Sequence, residues 1–354
     1  MGYGLAHGEE HLVRIELAAE QHAQHLGRAF GLVQELEQLR EVRGVVVLAH
    51  GYAEHARRYD HVVARFAGWV KHRLVRKNSR AGARANIEYH YDLGNEFYKM
   101  WLDETMAYSS GMFIQPTETL MDAQTNKFRL MFERLDLRPE HHLLEIGCGW
   151  GGFAIYAAKH SGCRVTSITL SKEQLAEAQQ RAQAAGLADR ITFELRDYRD
   201  ITERYDRVVS IEMYEAVGEE YWPGYFAAIQ KALKPGGRAA IQGITINPTI
   251  FDQYRRKRDF IQKYIFPGGM LCPPGLFQDL AYQAGLLPED AKFYAGDYAD
   301  TLMHWHRNAL AAREQITQQF DERFLRMWRY YLSYCECGFR VGSIDLMQIT
   351  LRKG

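Results

Sequence analysis

A cluster of four glycines constrains this 354-residue chain more than any other feature. The segment LLEIGCGWGGFAIYAAKHSGCRV, residues 143–165, starts with an apolar run, passes through Gly147, Gly149, Gly151 and Gly152, and ends in a helix-like run. Glycines at such a turn let the backbone approach a ligand closely, and the N-terminus of the next helix offers free N–H groups. The segment therefore predicts a strand, a ligand-binding turn and a helix.

Strand and helix patterns alternate after this turn. The strand-like runs are HLLEIGCG, CRVTSITL, ITFELRD, YDRVVSIEM and RAAIQGITI, and the helix-like runs between them are GGFAIYAAKHSG, SKEQLAEAQQRAQAAGL and WPGYFAAIQKALKPGG. Such alternation predicts an α/β fold with a doubly wound, mostly parallel sheet of the Rossmann-like kind. Residues 250–272 and 298–335 predict long helical segments, and IDLMQITLRK predicts a terminal strand.

The polar residues near the turn argue against a dinucleotide. A dinucleotide site favours G-x-G-x-x-G and an acidic residue near the end of the second strand. Here the spacing is G-C-G-W-G-G, and the second strand ends in TLS, where Thr169, Ser171 and Gln174 are the available polar groups. A ligand other than NAD is therefore expected.

Composition excludes several classes of function. The formal net charge of +0 gives no reason to expect a nucleic-acid partner. No apolar run is long enough to predict a transmembrane helix, and the N-terminus lacks the features of a signal peptide. Five scattered cysteines without a CxxC pair favour a reduced, cytoplasmic setting. His90 and Asp92 lack further ligands nearby, so no metal site is expected.

Two stretches before the sheet have alternative interpretations. Residues 44–66, which include HGYAEH, resemble the first strand and turn of α/β-hydrolases, but no G-x-S-x-G elbow follows. A basic stretch at residues 69–90 is either a solvated helix face or a surface for anionic headgroups. Its cations are Lys71, Arg73, Arg76, Lys77, Arg80 and Arg84.

The turn E-x-G-x-G-x-G resembles motif I of class I S-adenosylmethionine-dependent methyltransferases. The resemblance implies that Asp197 and Tyr198, in LRDYRD after the third strand, hold the adenine. LKPGG at residues 233–237 is similar to a turn before a late strand of the same enzymes, although an ordinary helix end explains it equally well.

Seven ordered motifs narrow the resemblance to the cyclopropane-fatty-acid synthase family. They are NIEYHYDLGNEFYKMWLDETMAYSSGMF, EIGCGWGG, TSITLSKEQ, DYRD, VSIEMYEAVG, DFIQKYIFPGG and YYLSYCECGFR, and together they span about residues 69–354. The resemblance implies transfer of a methyl group from S-adenosylmethionine to double bonds of unsaturated phospholipid acyl chains. EAVG and IQGITI look closer to members that make methyl- or methylene-branched chains than to cyclopropane makers.

The same resemblance implies a division of the chain. Residues 69–142 would form a helical lid over the cofactor near the membrane, and residues 143–354 the catalytic domain. Residues 1–68 precede the resemblance; helical spacing of apolar residues at 9–43 predicts that they form a mostly helical segment, whose role is open. A helical insertion at about 250–340 would bind the acyl chain. A cytoplasmic enzyme that visits the inner membrane surface is expected, and a homodimer stays an open alternative.

Family motif positions imply the site residues. Those expected to contact the cofactor are Tyr108, Ser109, Glu145, Gly147, Gly149, Gly151, Thr169, Leu170, Ser171, Gln174, Asp197 and Tyr198. Aromatic faces can stabilise the carbocation that methyl transfer creates, although each ring also fits ordinary core packing. The aromatic candidates are Tyr108, Tyr264, Phe266 and Tyr331.

In the family, a bicarbonate ion takes the proton that is lost after methyl transfer. The resemblance implies a cradle of Ser110, Glu215, Gln242, His306 and Cys335 for this ion. Glu215 and Cys335 match the family pattern, whereas Ser110 replaces a cysteine, Gln242 a histidine and His306 a tyrosine. The pocket keeps polar groups, and His306 is able to act as a base near neutral pH. Bicarbonate use is therefore an open question.

The sequence favours a methyltransferase that acts on lipids, with three alternatives. The first is a methyltransferase of the same fold that acts on an amine or hydroxyl of a small molecule. The second is a non-catalytic membrane-binding protein. The third is a hydrolase, against which the missing serine elbow argues.

Overall fold

The computed structural model describes residues 78–79, 82–83, 86 and 93–354. Several predictions fall on residues outside the described ones: the N-terminal segment expected to be helical, the HGYAEH sequence, His90 and Asp92, and the cations Lys71, Arg73, Arg76, Lys77, Arg80 and Arg84. Every strand-like run of the predicted sheet lies within them.

A seven-stranded sheet organises this part of the molecule in the order β3-β2-β1-β4-β5-β7-β6. The first five strands in this order pair in parallel, and β7 runs antiparallel to both of its neighbours, β5 and β6. The strands are β1 His142–Ile146, β2 Arg164–Thr169, β3 Ile191–Leu195, β4 Tyr205–Ile211, β5 Leu233–Ile246, β6 Leu286–Phe293 and β7 Ile344–Lys353.

Helices cover both faces of the sheet and extend beyond it. They are α1 Asn95–Lys99, α2 Leu120–Leu135, α3 Gly152–Ser161, α4 Lys172–Ala184, α5 Trp222–Ala232, α6 Pro248–Tyr254, α7 Phe260–Tyr264, α8 Pro274–Gln283, α9 Ala295–Ala311, α10 Arg313–Gln319 and α11 Glu322–Arg340. Successive β1 residues face opposite sides of the sheet, so Leu143 and Leu144 contribute to separate hydrophobic clusters. The expected doubly wound, mostly parallel α/β fold is confirmed.

The order of the strands predicts where a ligand binds. β1 lies between β2 and β4, so the chain reverses its direction of winding at the β1–β4 boundary. Ligands of open α/β sheets bind outside the carboxyl ends of the strands at such a switch point. The glycine turn follows β1, and residues 212–216 follow β4 at the same edge.

The segment at residues 250–272 is not one long helix, so that prediction was wrong. It contains the short helices α6 and α7, separated by the polar run at residues 255–258. Asp259 starts α7 with a capping box to Gln262, and Gly268 has a φ of 82° shortly after α7 ends. These local signals interrupt the apolar periodicity that suggested a continuous helix.

Three other predictions need adjustment. Residues 298–335 lie in three consecutive helices, α9, α10 and α11, rather than in one. The LKPGG sequence belongs to the start of β5, where pairing with β4 shifts register between Tyr205 and Arg207. The insertion expected to be helical contributes β6, whose sequence LLPEDAKF has little strand-like alternation.

The long helices have clear start signals. Thr119 caps α2 and forms a capping box with Asp122, and Asp321 caps α11 through the Phe324 N–H. Within the described residues, no helix has the length and apolar character needed to cross a bilayer.

Candidate active site

The glycine turn after β1 combines close packing with open space. Gly147, Gly149 and Gly151 have φ values of 91°, 50° and 82°, which favour glycine. A Cβ atom on Gly151 would lie 3.1 Å from Ala178 Cβ and from Phe193 Cζ. A Cβ atom on Gly149 would meet nothing within 4 Å. Packing therefore requires glycine at position 151, and position 149 leaves room in which a ligand can approach the backbone.

Polar side chains at the end of β2 lie beside this turn. Thr169 Oγ1 donates to Gln174 Oε1 over 2.9 Å, and Ser171 Oγ caps α4 by accepting the Gln174 N–H. Thr169, Ser171 and Gln174 are all buried, and Leu170 between them is partly exposed. The turn and these groups therefore line adjacent strand ends, as predicted for one binding site.

The acidic residue after β3 is firmly held. Asp197 accepts hydrogen bonds from the Arg199 backbone N–H and from its guanidinium, at 2.8 Å from Nε and 2.5 Å from Nη2. Tyr198 is partly exposed, and burial raises the pKa of its hydroxyl to about 12. The structure thus brings Asp197 and Tyr198 to the same sheet edge as the turn.

Glu145 lies inside the sheet rather than at the turn. Its carboxyl group accepts a hydrogen bond from Ser167 of the neighbouring strand. Burial raises its pKa to about 8, against a smaller opposite effect from Lys127. The geometry suits a group that fixes the end of β1, one residue before Ile146 and the turn.

Residues 103–113, here named the lid segment, cross the glycine turn. Gly152 lies against it, because an added Cβ atom there would be 2.9 Å from Thr105 O. Arg181 of α4 donates to the backbone carbonyls of Glu104, Thr105 and Trp150 over 2.9–3.0 Å. These bonds hold the lid segment against the turn.

A second set of contacts joins the lid segment to α2. Gln124 Nε2 donates to the Ser109 carbonyl over 2.7 Å, and Lys127 Nζ donates to Ser109 Oγ over 2.6 Å. Lys127 is fully buried, and desolvation lowers its pKa to about 8. Ser109, predicted to contact the cofactor, is therefore fixed by two side chains of α2.

A carboxylate that sequence reasoning did not select lies at the centre of the site. Glu212 Oε1 accepts hydrogen bonds from the Ser110 N–H at 2.9 Å and from Gln242 Nε2 at 2.8 Å. Its Oε2 accepts the Tyr298 hydroxyl at 2.5 Å. Glu212 has a φ of 50°, and its N–H donates to the Gln242 carbonyl over 2.8 Å. Three donors from separate segments therefore converge on one carboxylate.

Glu215 lies next to this carboxylate in a poorer hydrogen-bonding environment. Its Oε1 accepts the Ile244 N–H, and its buried Oε2 has no hydrogen-bond partner among the described residues. Burial, together with the charge of Glu212, raises the Glu215 pKa to about 8. Glu215 therefore keeps its proton at neutral pH, unlike an ordinary glutamate.

A chain of side-chain amides fixes the direction of the Gln242 donor. Gln348 Nε2 of β7 donates to Gln242 Oε1 over 2.8 Å, which leaves Gln242 Nε2 to face Glu212. Gln348 Oε1 in turn accepts from Arg134 Nε at 3.3 Å. Both glutamines are fully buried. Strands β5 and β7, which pair in antiparallel fashion, thus share one polar network.

Aromatic rings surround the space next to the lid segment. The Tyr108 and Tyr331 hydroxyls are 2.7 Å apart, and Tyr331 is buried. The Tyr108 ring centroid lies 5.3 Å from that of Trp101 and 5.4 Å from that of Trp305. Phe266 lies 6.3 Å from Tyr108 and from Tyr331. Tyr108, Phe266 and Tyr331 therefore form one group, as the sequence suggested.

The structure does not bring two predicted residues to this group. His306 accepts a hydrogen bond from Arg329 at 3.2 Å and contacts Ser333, between the exposed sides of α9 and α11. Tyr298, eight residues earlier on α9, meets Glu212 instead. Tyr264 is 44% exposed and packs on Phe260 at the surface, where water would quench a carbocation.

Cys335 lies closer to the predicted arrangement. It packs against the hydrophobic cluster that contains Tyr331, and burial raises the pKa of its thiol, so the thiol stays protonated. A protonated thiol is a poor nucleophile. The residue therefore suits a pocket wall, and no covalent role follows from its environment.

Sequence reasoning missed Glu212, Tyr298 and Lys127. Glu212 stands in the quoted motif VSIEMYEAVG, three residues before Glu215, so the motif itself carried the signal. Tyr298 lies on α9 eight residues before His306, the residue that motif position had suggested for the cradle. Lys127 has no sequence signal, because a lysine on an amphipathic helix is ordinarily exposed.

A family model and two curated relatives relate this chain to the same group of lipid-modifying enzymes. A family model described as mycolic acid cyclopropane synthetase matches residues 78–349. The chain is 44% identical over 283 residues to the tuberculostearic acid methyltransferase UfaA1 of Mycobacterium tuberculosis, covering 77% of this chain and 66% of that protein. It is 36% identical to the cyclopropane-fatty-acyl-phospholipid synthase of Escherichia coli, covering 80% of this chain and 71% of that protein. The chain thus spans about two thirds of these relatives' lengths.

Solved structures show the same relationship. The mycolic acid cyclopropane synthase CmaA1, complexed with SAH and CTAB, superposes with a TM-score of 0.73 at 30% identity. The match covers 76% of this chain and 98% of that structure.

Proposed function

The chain belongs to the mycolic acid cyclopropane synthetase family, and on that premise we propose that it methylates a double bond of unsaturated fatty acyl chains. S-adenosylmethionine is the methyl donor of this family. The observation that carries the proposal is the meeting of the open glycine turn with a polar cluster and a wall of aromatic rings. A Cβ atom on Gly147 would lie 3.2 Å from Met213, which stands between Glu212 and Glu215.

The residues at the turn fit the cofactor. The open space at Gly149, shortly before the N-terminus of α3, admits a ligand close to the backbone. We propose that Thr169, Ser171 and Gln174 bind its polar groups and that Asp197 and Tyr198 bind its adenine. When bound, S-adenosylmethionine supplies an electrophilic methyl group on a positively charged sulfur.

The chain's own residues then prepare the reaction. The lid segment, held by Arg181, Gln124 and Lys127, excludes water from the turn. The rings of Tyr108, Phe266 and Tyr331 would face a developing carbocation and stabilise it through cation–π attraction. A neutral Glu215 avoids placing a second carboxylate charge beside Glu212.

The assay for this proposal uses the purified full chain, methyl-labelled S-adenosylmethionine and vesicles of monounsaturated phospholipid. Label should enter the lipid, and mass analysis of its fatty methyl esters identifies a cyclopropane, methylene or methyl branch. Fully saturated vesicles are the matched control and should stay unlabelled. Label in an added amine or alcohol, with none in lipid, would instead support a small-molecule methyltransferase.

We further propose that the protein docks on anionic membrane through an aromatic-basic surface around α7. Tyr264, Tyr330 and Tyr334 are 44%, 53% and 40% exposed, and Phe260 contacts all three rings. Exposed tyrosines suit the headgroup level of a bilayer. The cations of this surface are Arg256, Lys257, Arg258 and Lys263, and no described carboxylate forms an ion pair with them.

Liposome sedimentation tests the aromatic-basic surface. Each lysine or arginine near an anionic bilayer contributes about 1 kcal/mol. Changing Arg256, Lys257 and Lys263 to Gln should therefore weaken binding to phosphatidylglycerol vesicles about 100-fold, with little effect on phosphatidylcholine vesicles. The matched control changes three exposed cations elsewhere, Lys159, Arg164 and Lys231. Equal loss in both triple variants would refute this surface and leave only a general charge effect.

A further inference from the structure

The donors expected to hold bicarbonate already hold a side chain. The resemblance implied that the ion sits among Ser110, Glu215, Gln242, His306 and Cys335. In the structure, the Ser110 N–H, the Gln242 amide and the Tyr298 hydroxyl all donate to Glu212. The nearby Ile244 N–H donates to Glu215. A carboxylate and a bicarbonate ion have the same planar pair of acceptor oxygens.

A separate bicarbonate ion does not fit this arrangement. All four donors around the cluster are engaged by carboxyl groups of the chain. An added anion would approach the Glu212 carboxylate, whose charge would repel it. Glu212 is also fixed at its backbone, where its N–H meets the Gln242 carbonyl.

We propose that Glu212 takes the place of bicarbonate and accepts the proton released after methyl transfer, so that this enzyme works without the ion. The inference rests on the proposed function, because it assigns the base of that reaction. It also explains why Gln242 departs from the family pattern, since its side-chain amide now donates to a carboxylate of the chain.

The proposed step conserves atoms and electrons. The alkene π electrons form the new carbon–carbon bond as the sulfur–methyl bond breaks and its electron pair remains on sulfur. The neighbouring carbon then carries the positive charge. Glu212 removes a proton from the added methyl group, and the C–H electron pair closes the ring to the cationic carbon. After a hydride shift, the same removal gives an exocyclic methylene group.

The geometry favours Glu212 over Glu215 as the base. Burial raises the pKa of Glu212, but three hydrogen-bond donors and the nearby Lys127 ammonium oppose that effect and favour its charged form. Glu215 has a single backbone donor and is held in its neutral form. The left-handed backbone at Glu212 is the kind of strain that functional sites retain.

The test replaces Glu212 in two ways. Glu212→Gly removes the carboxylate, suits a φ of 50°, and opens a space lined by three donors. Glu212→Gln fills the same space without a basic oxygen. Both variants should still bind S-adenosylhomocysteine in calorimetry, which shows that they fold. An exposed glutamate, Glu220→Gln, is the control.

Methyl transfer is then measured in bicarbonate-depleted buffer and after addition of bicarbonate. The wild type should be equally active in both. Both Glu212 variants should lose about 10²–10⁴-fold, the usual contribution of a general base. Bicarbonate should restore part of the activity in Glu212→Gly and none in Glu212→Gln. A wild type that requires bicarbonate, or an undiminished Glu212→Gly without it, would overturn the inference.

A binding measurement separates this inference from the proposed function. Titration of ¹³C-bicarbonate, followed by NMR, should show binding to Glu212→Gly and none to the wild type. If no condition labels any lipid, the proposed function fails, and this titration still decides whether Glu212 occupies the anion position. Binding of the ion to the wild type as tightly as to Glu212→Gly would refute the occupancy.

Discussion

The raised pKa of Glu215 makes a quantitative prediction about stability. Its carboxyl group has a pKa near 4.5 in an unfolded chain and about 8 in the folded protein, because of burial and then the charge of Glu212. Between these values the unfolded chain releases the proton and the folded protein keeps it. Rising pH therefore favours the unfolded state, and the wild type loses stability from this group between about pH 4.5 and pH 8.

The size of the effect follows from linkage. Each pH unit inside this window costs about 1.4 kcal/mol of unfolding free energy. From pH 5.5 to pH 7.5 the loss amounts to about 2.5 kcal/mol, since the folded form begins to ionise near the upper end. Glu215→Gln has similar volume and an acceptor oxygen for the Ile244 N–H, but it does not titrate. The variant should therefore gain that amount relative to the wild type over the same interval.

Urea unfolding at pH 5.5, 6.5 and 7.5 measures this difference. Glu203→Gln is the control, because Arg196 lowers the pKa of Glu203 to about 2. Stability linked to a lowered carboxyl pKa is present above pH 4.5 and lost only in more acid solution, so this control should parallel the wild type. Parallel curves for Glu215→Gln and the wild type would show that Glu215 is already ionised at neutral pH and refute the reasoning.

Three further predictions concern the site. Gly149→Ala should weaken S-adenosylmethionine binding at least 10-fold in calorimetry, because Gly149 has a φ of 50° and the added methyl group would enter the open space. The control Gly296→Ala, at a position of ordinary φ, should leave binding unchanged. Tyr298→Phe should lower kcat about 10- to 100-fold by removing a hydrogen bond to Glu212, and unchanged turnover would contradict its role. Arg181→Gln should speed proteolytic cleavage within the lid segment, and an unchanged cleavage rate would show that Arg181 does not hold the segment in place.

The sheet could be predicted because its signals are local. The glycine turn, the alternation of apolar runs and the capping residue Ser171 each act within a few residues. The strand β6 could not be predicted, because its sequence LLPEDAKF joins the sheet only through pairing with β7, about sixty residues later in the chain. Local pattern carries no information about such long-range pairing.

The residues of the site were predicted only in part, because a motif gives positions along the chain and not contacts in space. Motif positions gave Glu215, Gln242 and Ser110, which do lie around one cluster. The centre of that cluster depends on which donors face which acceptor, and spacing along the chain does not determine this. Tyr298 and His306 share a helix, yet only packing of α9 decides that Tyr298 faces inward.

The position of β7 has a consequence for biosynthesis. This strand is inserted between β5 and β6, and its Gln348 orients the amide that faces Glu212. A nascent chain still lacking residues 344–353 would leave β5 with an unpaired edge and Gln242 without its partner. The ribosome must therefore release nearly the whole domain before the reaction centre assumes its final geometry. Translational arrest upstream of this strand should yield an inactive, aggregation-prone species.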